Sequence, residues 1–136
     1  MFEQVLPGNT QKYLALLAEK NIFPSKTYLA GGTAIALQLG HRISYDLDFF
    51  VYEEFKTEKV LEELKRIEGF KLDRTDWGTI LGNFPNCKFS LFYYQYPLVE
   101  ETKDYLGVKI AGLKDLAASK IGAIASRGTK RDFVDI

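Results

Sequence analysis

One stretch limits the possible folds more than any other: Tyr28-Leu-Ala-Gly31-Gly32-Thr33-Ala-Ile-Ala-Leu-Gln-Leu-Gly40-His41-Arg42-Ile43-Ser44-Tyr-Asp46-Leu-Asp48-Phe-Phe50. It reads as a short apolar strand, a double-glycine turn, one helix, a polar loop and a strand that opens with two carboxylates. Glycine lets the backbone turn sharply and lets a ligand approach without meeting a Cβ. Thr33 stands where a helix N-cap is expected, and the unpaired amides of a helix N-terminus favour anions. Asp46 and Asp48 are two apart, so an extended strand directs both to one face, roughly 6.5–7 Å between Cα atoms. Two carboxylates so spaced can reach one divalent cation, or bridge a pair about 3.5–4 Å apart.

Gly-Gly and Asp-x-Asp are each common, and their order gives them meaning. That order, with Arg42-Ile-Ser44-Tyr-Asp46-Leu-Asp48-Phe49 in particular, resembles the polymerase-β-type nucleotidyltransferase superfamily and, within it, the AbiEii/AbiGii toxin-like (type IV toxin–antitoxin) family. The resemblance implies a nucleoside triphosphate as substrate and Mg²⁺ (or Mn²⁺) held by Asp46 and Asp48. It also implies phosphate binding at Gly31, Gly32 and Thr33, with Arg42 and Ser44 nearby. Arg42 can equally pair with the two carboxylates. His41, the only histidine, reads as a surface residue.

With 136 residues the chain has the length of one domain, taken as 1–136 with a core over 26–126. Its 18 basic and 18 acidic side chains cancel, so contact with a polynucleotide has to come from a local patch. A single cysteine, Cys87, excludes an intrachain disulfide and a cysteine-built zinc site. No apolar run is long enough to cross a bilayer, and no secretory leader is visible, so a cytoplasmic protein without a membrane partner is expected.

From the start of the chain, residues 9–20 read as a capped packing helix with Tyr13, Leu14, Leu17 and Ala18 on its apolar side. Residues 26–30 supply the first strand. Residues 33–39 form a helix stopped by Gly40. After the strand over 46–51, residues 57–68 form an amphipathic cover helix. Residues 70–96 then change to period two, with turns at Asp76-Trp77-Gly78 and Asn83-Phe84-Pro85-Asn86, which predicts an antiparallel three-stranded meander. Residues 105–110 add one more strand. The expected class is α+β, a mixed or antiparallel sheet with helices mainly on one face.

The superfamily usually carries a third carboxylate on a later strand. Its counterpart here, Cys87-Lys-Phe-Ser90-Leu-Phe-Tyr-Tyr, contains no acid. The base then comes from elsewhere, or metal coordination activates the hydroxyl, or the protein binds nucleotide without turning it over. Glu100, Glu101 and Asp104 read as a solvated acidic loop. The aromatic run Phe92–Tyr96 reads either as a buried strand or as a partner surface, such as one for a cognate antitoxin.

The predicted helix over 113–126 has Leu113, Leu116, Ala117, Ile121 and Ile124 on its apolar stripe, and Lys120 falls on the same stripe. A lysine there either snorkels to water or reaches a triphosphate or an aspartate. Lys114-Asp115-Leu116…Lys120 is similar to a family helix with a functional lysine. Arg131-Asp132-Phe133-Val-Asp135 resembles the family's end-motif, in which an aspartate joins the active site. Thr129 could cap that last helix over 129–136. Family members continue into a C-terminal helical region, so the resemblance implies that this region is truncated or absent over residues 1–136. The resemblance thus implies transfer of a nucleoside monophosphate to a hydroxyl of RNA such as tRNA, or of a protein. Lys120 would face the leaving pyrophosphate and Asp132 the acceptor. The alternative is a catalytically weak or inactive nucleotide-binding or partner-binding protein of the same fold.

Overall fold

In a computed structural model that describes residues 1–94, 98 and 100–117, these segments assemble around one seven-stranded mixed sheet. After a short 3-10 turn at Glu3–Val5, α1 (Gly8–Lys20) buries Thr10, Tyr13, Leu14 and Leu17 at helical spacing. It ends at Asn21, whose left-handed backbone returns its N–H to the Ala18 carbonyl. Then come β1 (Thr27–Ala30), α2 (Gly31–Leu39), β2 (Leu47–Val51) and α3 (Thr57–Lys65). The meander is β3 (Lys71–Asp76), β4 (Thr79–Phe84) and β5 (Cys87–Tyr93). The single strand expected over 105–110 is instead a hairpin of β6 (Lys103–Tyr105) and β7 (Val108–Ile110). Leu106 and Gly107 both have positive φ, which closes a two-residue turn that follows the natural strand twist.

The sheet order is β3-β4-β5-β2-β1-β7-β6. The meander and the β6–β7 hairpin are antiparallel, and β1 runs antiparallel to β2. Two parallel pairings, β2 with β5 and β1 with β7, join these pieces. Both outer strands are protected by charge: Lys71, Asp73, Arg74 and Asp76 on β3, Lys103 and Asp104 on β6, are exposed.

Along β2, burial alternates: Leu47, Phe49 and Val51 are fully enclosed, whereas Asp48 and Phe50 are partly exposed. The enclosed face continues through Leu29 on β1, Phe89 and Leu91 on β5, and Ile80 and Phe84 on β4. Tyr13 of α1 stacks on Phe84, and Phe23 contacts both Phe49 and Phe89. α3 buries Val60, Leu61 and Leu64, and its Val60 borders the same cleft as Phe23. The Phe49 face is thus covered by α1, α3 and the Phe23 loop, while Asp48 lies on the opposite face with Ala30 and Ser90 beside it.

α2 is enclosed nearly all round, with Ala34 to Leu37 buried in succession. Its cap differs from expectation. The helix begins at Gly31 with Ala30 as N-cap and no side-chain cap, because the Thr33 hydroxyl is used elsewhere. Gly40, at φ 65°, ends it as expected. α3 closes at Lys65, three residues short of the predicted Glu68. At the far end, residues 113–117 are helical; Leu116 is buried, but Leu113 and Ala117 are exposed and so lie off the expected apolar stripe.

Candidate active site

Four chain segments meet where β1 ends and β2 begins. Ala30 pairs with Asp48 across the antiparallel ladder, and Asp48 pairs with Ser90 across the parallel one. β2 itself starts at Leu47, so Asp46 is the last residue of the preceding loop and not the first of the strand. Its backbone carbonyl is already taken by the Thr33 hydroxyl, which ends the ladder one residue early.

Gly31 explains why the double glycine precedes the paired acids. Its φ is +66°, a left-handed value that side chains resist, and it introduces α2. A Cβ there would sit 2.5 Å from Asp48 Oδ2 and 3.0 Å from Asp48 Cβ. The Asp48 carboxylate therefore lies against the bare backbone at the start of a helix, where the dipole favours negative charge. The neighbouring Gly32 is buried within the first turn.

Thr33 and Ser44 come together, though not as open phosphate ligands. Both are buried, and their hydroxyls are 2.6 Å apart. Thr33 donates its only proton to the Asp46 carbonyl, so Ser44 is the donor of the hydroxyl pair. The Arg42–Asp46 loop is tied down twice more, by Ser44 N–H to the Val5 carbonyl and by Thr10 Oγ1–H to the Tyr45 carbonyl. The opening segment, predicted only to pack, thus helps to hold the loop that carries Asp46. Arg42 is half-buried, with one guanidinium N–H directed to the carbonyl of Ile43 at 3.4 Å.

Ser90 occupies the strand position where a further carboxylate was sought. Its Oγ donates to Asp48 Oδ1 at 2.5 Å. Among the described residues no cluster of three or more His, Cys, Asp or Glu forms. The negative charge nonetheless collects at this end of β5. The Cys87 thiol is pushed up to about 11, chiefly by burial; a hydrogen bond with Thr10 works against this, and the charges of Asp46 and Asp48 add to it. Two surface clefts, of about 770 and 480 Å³, flank α3, and neither is lined by Asp46 or Asp48.

Lys120 and Asp132 lie outside the described residues, as does the helix expected over 129–136. What leads toward them is described. Glu100, expected in a solvated loop, takes the Lys114 N–H on Oε1 at 2.7 Å, while its own N–H goes to Asp115 Oδ2 at 3.0 Å. That reciprocal pair fixes the start of the helix at 113, and Gly112 gives it room, since a Cβ there would be 2.6 Å from Glu100 Oε1. Gln38 of α2 donates to the Ala111 carbonyl and so ties this segment to the helix that Gly31 begins. Sequence reasoning had missed Ser90 and Thr10; a hydroxyl at an apolar strand position was the available signal for Ser90.

Residues 14–99 match the family model described as nucleotidyl transferase AbiEii toxin, Type IV TA system. An uncharacterized protein of Aquifex aeolicus is 41% identical in an alignment of length 116 that covers 80% of this chain and 55% of that protein. The chain therefore spans about half the length of that relative. Among solved structures, the antibiotic-resistance factor ANT(2'')-Ia superposes with a TM-score of 0.64 at 15% identity, over 99% of this chain and 82% of that one. A Thermotoga maritima protein described as a nucleotidyltransferase gives 0.58 at 15% identity, over 96% and 95%. These two likenesses show the fold.

Proposed function

The chain belongs to the AbiEii nucleotidyltransferase family, and from that premise we propose that it moves a nucleoside monophosphate from a nucleoside triphosphate to a hydroxyl acceptor. The observation that carries this reading is the Asp48 carboxylate lying against the bare Gly31 backbone at the start of α2. An acid so placed can hold a cation beside a helix N-terminus that favours phosphate.

The donor set suits a hard divalent ion: two carboxylates near one strand end, at the loop–β2 junction. Asp46 and Asp48 would hold Mg²⁺ (or Mn²⁺), which when bound neutralises triphosphate charge and favours in-line displacement at the α-phosphorus. Gly31 and Gly32 would bind the phosphates through the backbone amides of the first turn of α2, while the space of the missing Gly31 Cβ admits Asp48. Thr33 and Ser44 act indirectly, by holding the loop from Arg42 to Asp46, and Arg42 stands in that loop to meet a phosphate oxygen. Lys120 would stabilise the leaving pyrophosphate, and Asp132 would orient or deprotonate the acceptor. Catalysis of this kind is positioning plus electrostatic stabilisation. The fold supports the reading indirectly: a structure of ANT(2'')-Ia holds adenylyl-2''-tobramycin. The acceptor we propose is an RNA such as tRNA, or a protein, with a cognate antitoxin as a partner in the cell.

The test is incubation of the protein with Mg²⁺, each α-labelled triphosphate, tRNA and candidate proteins. Label transfer is expected, and Asp46→Asn or Asp48→Asn should reduce it by about 10²-fold or more with the melting temperature nearly unchanged. Lys120→Ala and Asp132→Asn should do the same if their roles are as stated. No transfer and no nucleotide binding would overturn the reading. The acid-free strand β5 favours one second reading, a protein that binds nucleotide without turning it over; calorimetric binding with no label transfer distinguishes it.

A further inference from the structure

Ser90 carries no acid, yet its hydroxyl makes a short hydrogen bond to Asp48. The two residues face each other in parallel register on β5 and β2, 42 positions apart in sequence. Ser90 is 7% exposed, so water competes little for its hydroxyl, which donates to Asp48 Oδ1 at 2.5 Å. Oδ2 of the same carboxylate is the atom that fills the place of the missing Gly31 Cβ. The carboxylate is thus oriented through both oxygens, one by a hydroxyl and one by a backbone that admits it. A free aspartate samples several rotamers, and fixing one in advance removes that cost from ligand binding.

We propose that Ser90 is a positioning residue that locks Asp48 in the rotamer in which it takes a divalent cation, and so sets the metal affinity of the site without touching substrate. The inference rests on Asp46 and Asp48 being the metal-holding pair. A serine can do this where a larger hydrogen-bonding side chain could not, because the bond spans adjacent strands and needs a donor only one carbon from the backbone. The hydroxyl also leaves the charge of the pair unchanged.

The experiment is Mn²⁺ binding to the full chain, read from the electron paramagnetic resonance of free Mn²⁺, with circular dichroism as a folding control. Ser90→Ala should weaken Mn²⁺ binding about tenfold, as expected for loss of a hydrogen bond to a charged group. Ser90→Thr and Ser90→Val have nearly the same shape and differ in the hydroxyl, so Thr should bind Mn²⁺ close to wild type and Val should match Ala. In transfer assays Ser90→Ala and Ser90→Val should raise the Mg²⁺ concentration needed for half-maximal rate more than they lower the rate at saturating Mg²⁺. Equal Mn²⁺ affinity in wild type, Ala and Val overturns the role of Ser90 and leaves the metal pair standing. A folded wild type that binds no Mn²⁺ overturns the metal pair itself, and the role of Ser90 with it.

Discussion

A single missing methyl group decides whether Asp48 has its place. Gly31 combines a positive φ with a Cβ position already claimed by Asp48 Oδ2, so alanine there meets two separate penalties. The backbone alone costs about 1–2 kcal/mol. The carboxylate must also move, and misplacement by about 1 Å is enough to cost about 10²-fold in rate. Gly31→Ala should therefore lower thermal stability modestly but remove nearly all transfer, which a melting curve and a label-transfer assay on one preparation would separate. Activity near wild type would mean that the Asp48 position is not what matters. The sequence announced this glycine. For Ser90 it offered only a hydroxyl at an apolar strand position, which marks the residue but not its partner, because the pairing with Asp48 is set across two strands.

At the level of elements, the loop between α2 and β2 is held by hydroxyls, two of which, on Thr33 and Ser44, the sequence resemblance had assigned to phosphate. Thr33 links Ser44 to the Asp46 carbonyl from a fully buried position, and Thr10 of α1 holds the Tyr45 carbonyl. Thr33→Val keeps the shape and removes the hydroxyl, which takes a partner from the part-buried Asp46 carbonyl and from the buried Ser44. The expected cost is about 1–3 kcal/mol in urea unfolding. Transfer should fall as well, because Asp46 loses the anchor on its backbone. An unfolding midpoint equal to wild type would show that the clamp contributes nothing. The helices themselves and the meander were legible from periodicity and turn residues, though the start of α2 and the end of α3 were not. The hairpin at Leu106-Gly107 was not, because its strands are three residues each, too short to show alternation.

For the molecule as a whole, the buried thiol at the start of β5 should leave a mark on alkaline stability. The Cys87 thiol is buried and its pKa is raised to about 11, from an ordinary value of 9.0. The folded state therefore binds this proton more tightly than the unfolded state does. Its contribution is intact below pH 9 and is lost as the pH rises through about 11. Burial also pushes the Tyr28 and Tyr105 phenols upward, so they act in the same direction at still higher pH. Urea midpoints should fall from pH 8 to pH 10.5, and Cys87→Ala should flatten that slope; an equal slope in both proteins would exclude the thiol as a source. At this scale the division of labour is clear. By itself the sequence determined what depends on neighbours in the chain: the glycine bend, the helices and their stops, the alternating strands, and the two acids beside them. Tertiary structure alone decided that β5 lies parallel to β2 in the register that sets Ser90 against Asp48. Parallel strands need a long crossover, and only packing across the sheet selects which residues then face each other.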